Sequence, residues 1–277
     1  MISIKNLNFK HGRKQENLFE NLNCIIEPGN IVGLLGKNGA GKTTLLKILT
    51  GLLHPEKGEI TISEHQPIKR KPSFLKEIYF VSEEFELPAI SSNAFLNSNS
   101  GFYPSFDHGL FKKLITEFEL NPVKNLQKYS YGQKKKFLIS FALATRCKIL
   151  VMDEPTNGLD IPSKSVFRKV LAGSLDEEQM VIISTHQVKD VENLIDRILL
   201  LDHGKFILEN DLYEISSVLN FKYSSTTDSP DVLYSELVPG GYKIITSERN
   251  VHTSVDIELL FNAITKGNLN IKDHINE

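Results

Sequence analysis

Short apolar and β-branched runs recur through the first two hundred residues, at 2–7, 24–26, 31–35, 59–62, 78–81, 149–153, 181–184 and 198–201. Each is short, rich in Ile, Val and Leu, and reads as a strand. Stretches with helical spacing lie between several of them, at 43–53, 137–144, 166–171 and 188–195. Strands alternating with helices predict α/β layers around a mainly parallel sheet. The region from about 83 to 133 breaks the alternation. Its apolar residues Leu110, Phe111, Leu114, Ile115 and Phe118 fit a helix, which predicts a helical insertion. After Asp211 the texture changes again. Residues 224–230 read as a loop, followed by short β-like runs such as 242–245 and a helix over 255–265.

Composition narrows the class without naming a function. The chain has 277 residues, 40% hydrophobic and 24% charged, with 32 Lys and Arg against 34 Asp and Glu. That balance excludes disorder, and a sequence pI near 6.5 argues against a strongly basic nucleic-acid binder. Mean hydropathy is −0.17, and no run approaches the roughly 18 to 20 apolar residues of a membrane span. The N-terminal stretch lacks the apolar core of a signal peptide. Cys24 and Cys147 sit among apolar neighbours and are expected as buried, reduced thiols of a cytosolic protein. The eight histidines show no metal-ligand spacing. The run Lys134, Lys135 and Lys136 is expected to be a solvated helix face.

The strongest local signal is Gly36, Lys37, Asn38, Gly39, Ala40, Gly41, Lys42 and Thr43, with Thr44 next in line; it fits G-x-x-x-x-G-K-[ST]. An apolar strand runs into it and an apolar-faced helix leaves it. Glycines let successive backbone N–H groups converge on phosphate oxygens, and the helix N-terminus adds partial positive charge. Lys42 is placed to neutralise the β- and γ-phosphates, and the Thr43 hydroxyl to ligate Mg²⁺. Downstream, the apolar strand at 149–153 ends in Asp153 and Glu154. A strand flanking the phosphate loop would deliver Asp153 to the metal, and Glu154 would orient an attacking water.

The stretch from Asp153 to Asp160, D-E-P-T-N-G-L-D, closely resembles the Walker B and D-loop segment of ATP-binding cassette (ABC) ATPases. Tyr129, Ser130, Tyr131, Gly132 and Gln133 resemble the signature L-S-G-G-Q, and Ser184, Thr185 and His186 resemble the strand end carrying the switch histidine. Residues 78–83 are similar to the strand entering the Q-loop, and 6–12 to the stretch bearing the adenine-stacking aromatic, which falls on His11. The resemblance spans roughly residues 1–217. It implies a P-loop NTPase (RecA-like) α/β core with an antiparallel N-terminal β subdomain over 1–82 and 138–217. A helical signature subdomain over 83–137 and a C-terminal extension over 218–277 complete the expected division.

The same resemblance implies two cassettes facing head to tail, with ATP between the phosphate loop of one and the signature of the other. Ser130, Gly132 and Gln133 would act across that interface, Asp160 would cross it, and His186 would contact the γ-phosphate. Glu83 stands where the family has the Q-loop glutamine; its carboxylate can still ligate Mg²⁺ beside Thr43 and Asp153, but it adds negative charge. Tyr131 replaces the first signature glycine. The implied role is an Mg-dependent ATPase subunit bound to the cytoplasmic face of the cell membrane through a separate polytopic permease, paired with a second cassette as a homodimer, with export favoured over import. Nucleic acid is not an expected partner. A soluble regulatory ATPase acting on protein or nucleic acid, and a scaffold impaired in hydrolysis, are the rival readings.

Overall fold

A computed structural model describes residues 1–12, 16–29, 31–247, 253–266 and 269. The chain begins with strands β1 (Ile2–Phe9), β2 (Phe19–Ile26) and β3 (Ile31–Leu35), then helix α1 (Lys42–Leu49). Strand β4 (Lys57–Ile62), the single turn α2 (Pro72–Leu75) and β5 (Ile78–Val81) follow. Helices α3 (Ser92–Asn99), α4 (His108–Glu117) and α5 (Tyr131–Ala144) make up the insertion. The chain then returns through β6 (Ile149–Asp153), α6 (Ile161–Ser174), β7 (Met180–Thr185) and β8 (Arg197–Asp202). Strand β9 (Lys205–Asp211), helix α7 (Leu212–Val218), strands β10 (Asn220–Ser224), β11 (Val232–Val238) and β12 (Gly241–Thr246), and helix α8 (Ile257–Lys266) complete it.

The central sheet has six strands in the order β5-β6-β7-β3-β8-β9. All neighbours are parallel except β8 and β9, which form an antiparallel hairpin. Every residue of β6 and β7 is buried, as continuous apolar strands covered on both faces should be. Alternate residues feed two cores. Leu35, Leu150, Met152, Val181 and Ile183 join α5, α6, the insertion and α8, while Val32, Leu34, Val151 and Ile182 join α1 and the antiparallel sheet β2-β1-β4. The third sheet, β10-β12-β11, is antiparallel and lies after the central sheet in the chain.

Strands 31–35, 78–81 and 149–153 stand where the apolar pattern puts them. The strand carrying Asp153 does not flank the phosphate-loop strand, however. β7 pairs with both β3 and β6 and so lies between them. The registers Leu35↔Thr185 and Asp153↔Ser184 bring all three C-terminal ends level. The helix expected over 188–195 is instead a single 3₁₀ turn, Val188–Asp190, followed by turns. Asp196 accepts the Ile31 N–H at 3.0 Å and donates its own N–H to the Ile31 carbonyl at 2.9 Å, drawing the chain into β8 before a helix can propagate. Helix α5 runs unbroken through residues 137 and 138, joining the insertion to the sheet layer. Of the segment after residue 217, positions 248–252, 267, 268 and 270–277 lie outside the described residues.

Phe141, on α5, is the hub of the insertion. Its ring lies 5.6 Å from that of Tyr79 on β5, 5.3 Å from Phe95 on α3, and 5.0 Å from Phe106. Truncating it empties the junction between sheet and insertion, so Phe141→Ala should cost about 3–5 kcal/mol in urea unfolding and Phe141→Leu much less. Both cysteines are unpaired and buried. Burial raises the Cys24 thiol far above its usual range and pushes the Cys147 thiol up to about 11. The native protein at pH 8 should therefore leave both thiols unmodified by a disulfide reagent over minutes, whereas urea exposes both.

Candidate active site

The turn from β3 into α1 is shaped by residues that a side chain would obstruct or strain. Gly39 and Gly41 take φ of +82° and +104°, and a Cβ on Gly41 would lie 2.9 Å from the Phe19 ring. Gly41 caps α1 without a side chain, and no acid occupies the first turn, so the helix N-terminus keeps its positive end. Lys42 is buried, with Nζ donating to the carbonyls of Gly36 at 2.8 Å and Lys37 at 3.3 Å. Burial lowers its pKa, and the nearby carboxylates of Glu154, Asp153 and Glu83 oppose that shift. Thr43 is half-buried, while the Thr44 hydroxyl pairs at 3.2 Å with Nε2 of His11. The His11 ring in turn meets Phe9 edge-on at 5.1 Å.

At the end of β6, Asp153 is fully buried. Its Oδ1 accepts a hydrogen bond from the Ser184 hydroxyl, but its Oδ2 is buried without a partner. Glu154 follows in a left-handed conformation, φ 45°, an uncommon backbone state for a residue with a Cβ. β7 holds it there. The Glu154 N–H donates to the Ser184 carbonyl at 3.0 Å, and the Thr185 hydroxyl donates to Oε2 at 3.1 Å. Oε1 accepts both the His186 N–H at 3.0 Å and Nδ1 of the imidazole at 2.7 Å. With a carboxylate as its partner, Nδ1 is the donor in that contact. A cleft of about 610 Å³ opens here, lined by Gly36, Lys37, Asn38, His186, Lys189 and Phe261.

Glu83 closes the other side of the carboxylate group. Its Oε1 accepts from the Asn157 amide at 2.9 Å, and its backbone carbonyl accepts from the Tyr131 hydroxyl at 2.8 Å. Phosphate loop, Asp153, Glu154, His186 and Glu83 thus gather at one edge of the sheet. Ser130, Gly132, Gln133 and Asp160 do not join them through any hydrogen bond among the described residues. Ser130 caps α5: its hydroxyl accepts the Gln133 N–H at 3.3 Å, and the Gln133 side chain accepts the Ser130 N–H at 2.9 Å. Asp160 caps α6, and hydrogen bonds from Ser163 hold its carboxyl below the usual range. The signature and D-loop stretches touch each other, since a Cβ on Gly132 would lie 2.8 Å from the Gly158 carbonyl.

Three residues contribute to the site that were given no role in it from the sequence. Ser184 and Thr185 orient the acids through their hydroxyls, a role apparent only once β7 lies beside β6. Lys135 overturns the expectation of a solvated lysine run. It is fully buried, with Nζ donating to the carbonyls of Ser82 at 3.2 Å and Glu83 at 3.4 Å. The signal was present, because 135, 138, 139 and 142 recur at helical spacing on the buried face of α5.

The ABC transporter family model matches residues 19–157, about half of the chain. The lantibiotic transport ATP-binding protein SrtF of Streptococcus pyogenes is 32% identical over 216 residues, covering 76% of this chain and 91% of SrtF. The SkfA peptide export ATP-binding protein SkfE of Bacillus subtilis is 32% identical over 209 residues, covering 70% and 82%. Among solved structures, the dimeric MJ0796, a bacterial ABC transporter cassette, superposes with a TM-score of 0.66 at 25% identity, covering 76% of this chain and 99% of that one. Matched in sequence through the phosphate loop and the paired acids, and in fold to such cassettes, the chain belongs to the ABC transporter family as one of its ATP-binding subunits.

Proposed function

We propose that this chain is the Mg²⁺-dependent ATPase subunit of an exporter, working as a pair of cassettes beneath separate permease chains at the cytoplasmic face of the cell membrane. The observation that carries the reading is the buried, unpartnered Oδ2 of Asp153, level with the phosphate loop and beside Glu154 and His186. A buried carboxylate oxygen without a partner is costly unless a cation completes it. Thr43, Asp153 and Glu83 are oxygen donors suited to Mg²⁺. When bound, that ion neutralises the β- and γ-phosphate oxygens of ATP.

The chain's own residues supply the rest. Backbone N–H groups of the loop from Gly36 to Thr44, including those of Lys37 and Asn38, cradle the phosphates, while the Ala40 N–H closes the turn onto the Lys37 carbonyl, and Lys42 exchanges its carbonyl partners for phosphate oxygens. His11, anchored on Thr44, stacks on the base. Glu154, fixed by Thr185 and His186, orients the attacking water and takes up its proton. His186 steadies Glu154 through Nδ1 and meets the γ-phosphate through the rest of its ring. Ser130, Gly132 and Gln133 of a second copy present the N-terminus of α5 to the γ-phosphate, with Asp160 at the interface between the copies.

SrtF and SkfE are named for lantibiotic transport and peptide export, which favours export here over a soluble regulatory role. Among the described residues no helix is long and apolar enough to cross a membrane, so on this reading the permease supplies the spans. Glu154→Gln keeps the side chain's shape and removes its basicity. ATP turnover by the purified subunit with Mg²⁺ should fall by roughly 10²- to 10⁴-fold, while ATP binding persists and a dimer accumulates in size-exclusion chromatography. Turnover at the wild-type rate would remove Glu154 from the mechanism.

A further inference from the structure

The wall between the Q-loop and the signature helix contains a charge that the ATPase reading leaves unused. Lys135 is fully buried beneath residues 82–85. Its ammonium lies 5.2 Å from the centroid of the Phe85 ring and 5.9 Å from that of Tyr131, and those two rings stack on each other at 5.4 Å. The Tyr131 hydroxyl reaches back to the Glu83 carbonyl, which Lys135 also contacts. Burial, reinforced by Glu83 and Glu84, raises the Tyr131 pKa, so the hydroxyl stays a donor.

Placing an ammonium here has a cost. An apolar side chain of the same length would fill the space, and buried charges are often neutral or worse for stability than such replacements. The Lys135 ammonium sits in the field of Glu83, Asp153 and Glu154. Where the family resemblance has a neutral glutamine, this chain has Glu83 and so one more negative charge beside a triphosphate. Lys42 is committed to the phosphate loop. Among the described residues, Lys135 is the other buried cation whose field reaches the same acids.

We propose that Lys135 is a positioning residue that offsets the charge of Glu83 and, together with Tyr131, fastens the Q-loop backbone to the signature helix, making nucleotide binding tolerant of a carboxylate at the Q-loop. This inference rests on the ATP-binding reading above. It predicts that the two charges are coupled: loss of Lys135 matters because Glu83 is present.

The test is a double-mutant cycle read by affinity for a fluorescent, non-hydrolysable ATP analogue with Mg²⁺, using the full chain. Lys135→Met should weaken binding about tenfold, as expected for exposing the triphosphate to one uncompensated carboxylate at an effective dielectric near 20. Adding Glu83→Gln should return affinity to within about twofold of Glu83→Gln alone. Lys135→Gln, which keeps a donor for the two carbonyls but no charge, should lose affinity as Lys135→Met does, while melting closer to the wild type than Lys135→Met, which leaves both carbonyls without their donor. An equal loss whether or not Glu83→Gln is present, no loss in either case, or full binding by Lys135→Gln would overturn the inference. Failure of the wild type to bind the analogue at all would instead overturn the ATP-binding reading.

Discussion

Two adjacent carboxylates, Asp153 and Glu154, stand inside the protein at the end of a buried strand, and the rest of the site is arranged around them. Neither can be left bare there without a large penalty. β7 meets most of that need. Ser184 donates to Asp153, while Thr185 and His186 donate to Glu154. Those donors are in reach only because β7 lies between the strand with the acids and the strand entering the phosphate loop. The same registers that pair Asp153 with Ser184 and Leu35 with Thr185 set phosphate loop, acids and His186 at one level. The atom that β7 leaves unsatisfied, Oδ2 of Asp153, is the one a cation would complete.

The contact at Glu83 is mechanical as well as electrostatic. Glu83 is held through its carboxylate by Asn157 and through its carbonyl by Tyr131 and Lys135. Those partners come from the D-loop stretch and the signature helix. Two hydrogen bonds, from Tyr131 and Lys135, tie Glu83 to the signature helix, and a third, from Asn157, ties it to the stretch after β6. The aromatic cluster around Phe141 packs α5 against α3, Phe106 and β5, the strand that leads to Glu83.

Legibility of the sequence followed burial. Strands covered on both faces are continuous apolar runs, and Ile31–Leu35, Ile78–Val81 and Ile149–Asp153 could be bounded directly. The phosphate loop and paired acids were equally plain, because their chemistry requires particular residues at particular spacing. Periodicity does not encode strand order, so the interposition of β7 was not legible. The hairpin to β9 turns on His203 and Gly204, both with positive φ, a two-residue turn signal hidden by the histidine. β11 is half-buried along nearly its whole length and shows no alternation to read. Lys135 was masked by its neighbours, since a lysine run suggests solvent while the helical phase of the middle residue puts it inside.

The account requires that a working site be assembled from two copies, the phosphate loop and acids of one with the capped α5 N-terminus of the other. Mixing two singly disabled chains measures this directly. Lys42→Ala destroys the phosphate loop, and Ser130→Arg obstructs the α5 N-terminus; each alone should be inactive. Mixed in equal amounts, they form some heterodimers with one intact composite site, and ATP turnover should reappear at a substantial fraction of the wild-type rate. A mixture as inactive as its components would contradict the account.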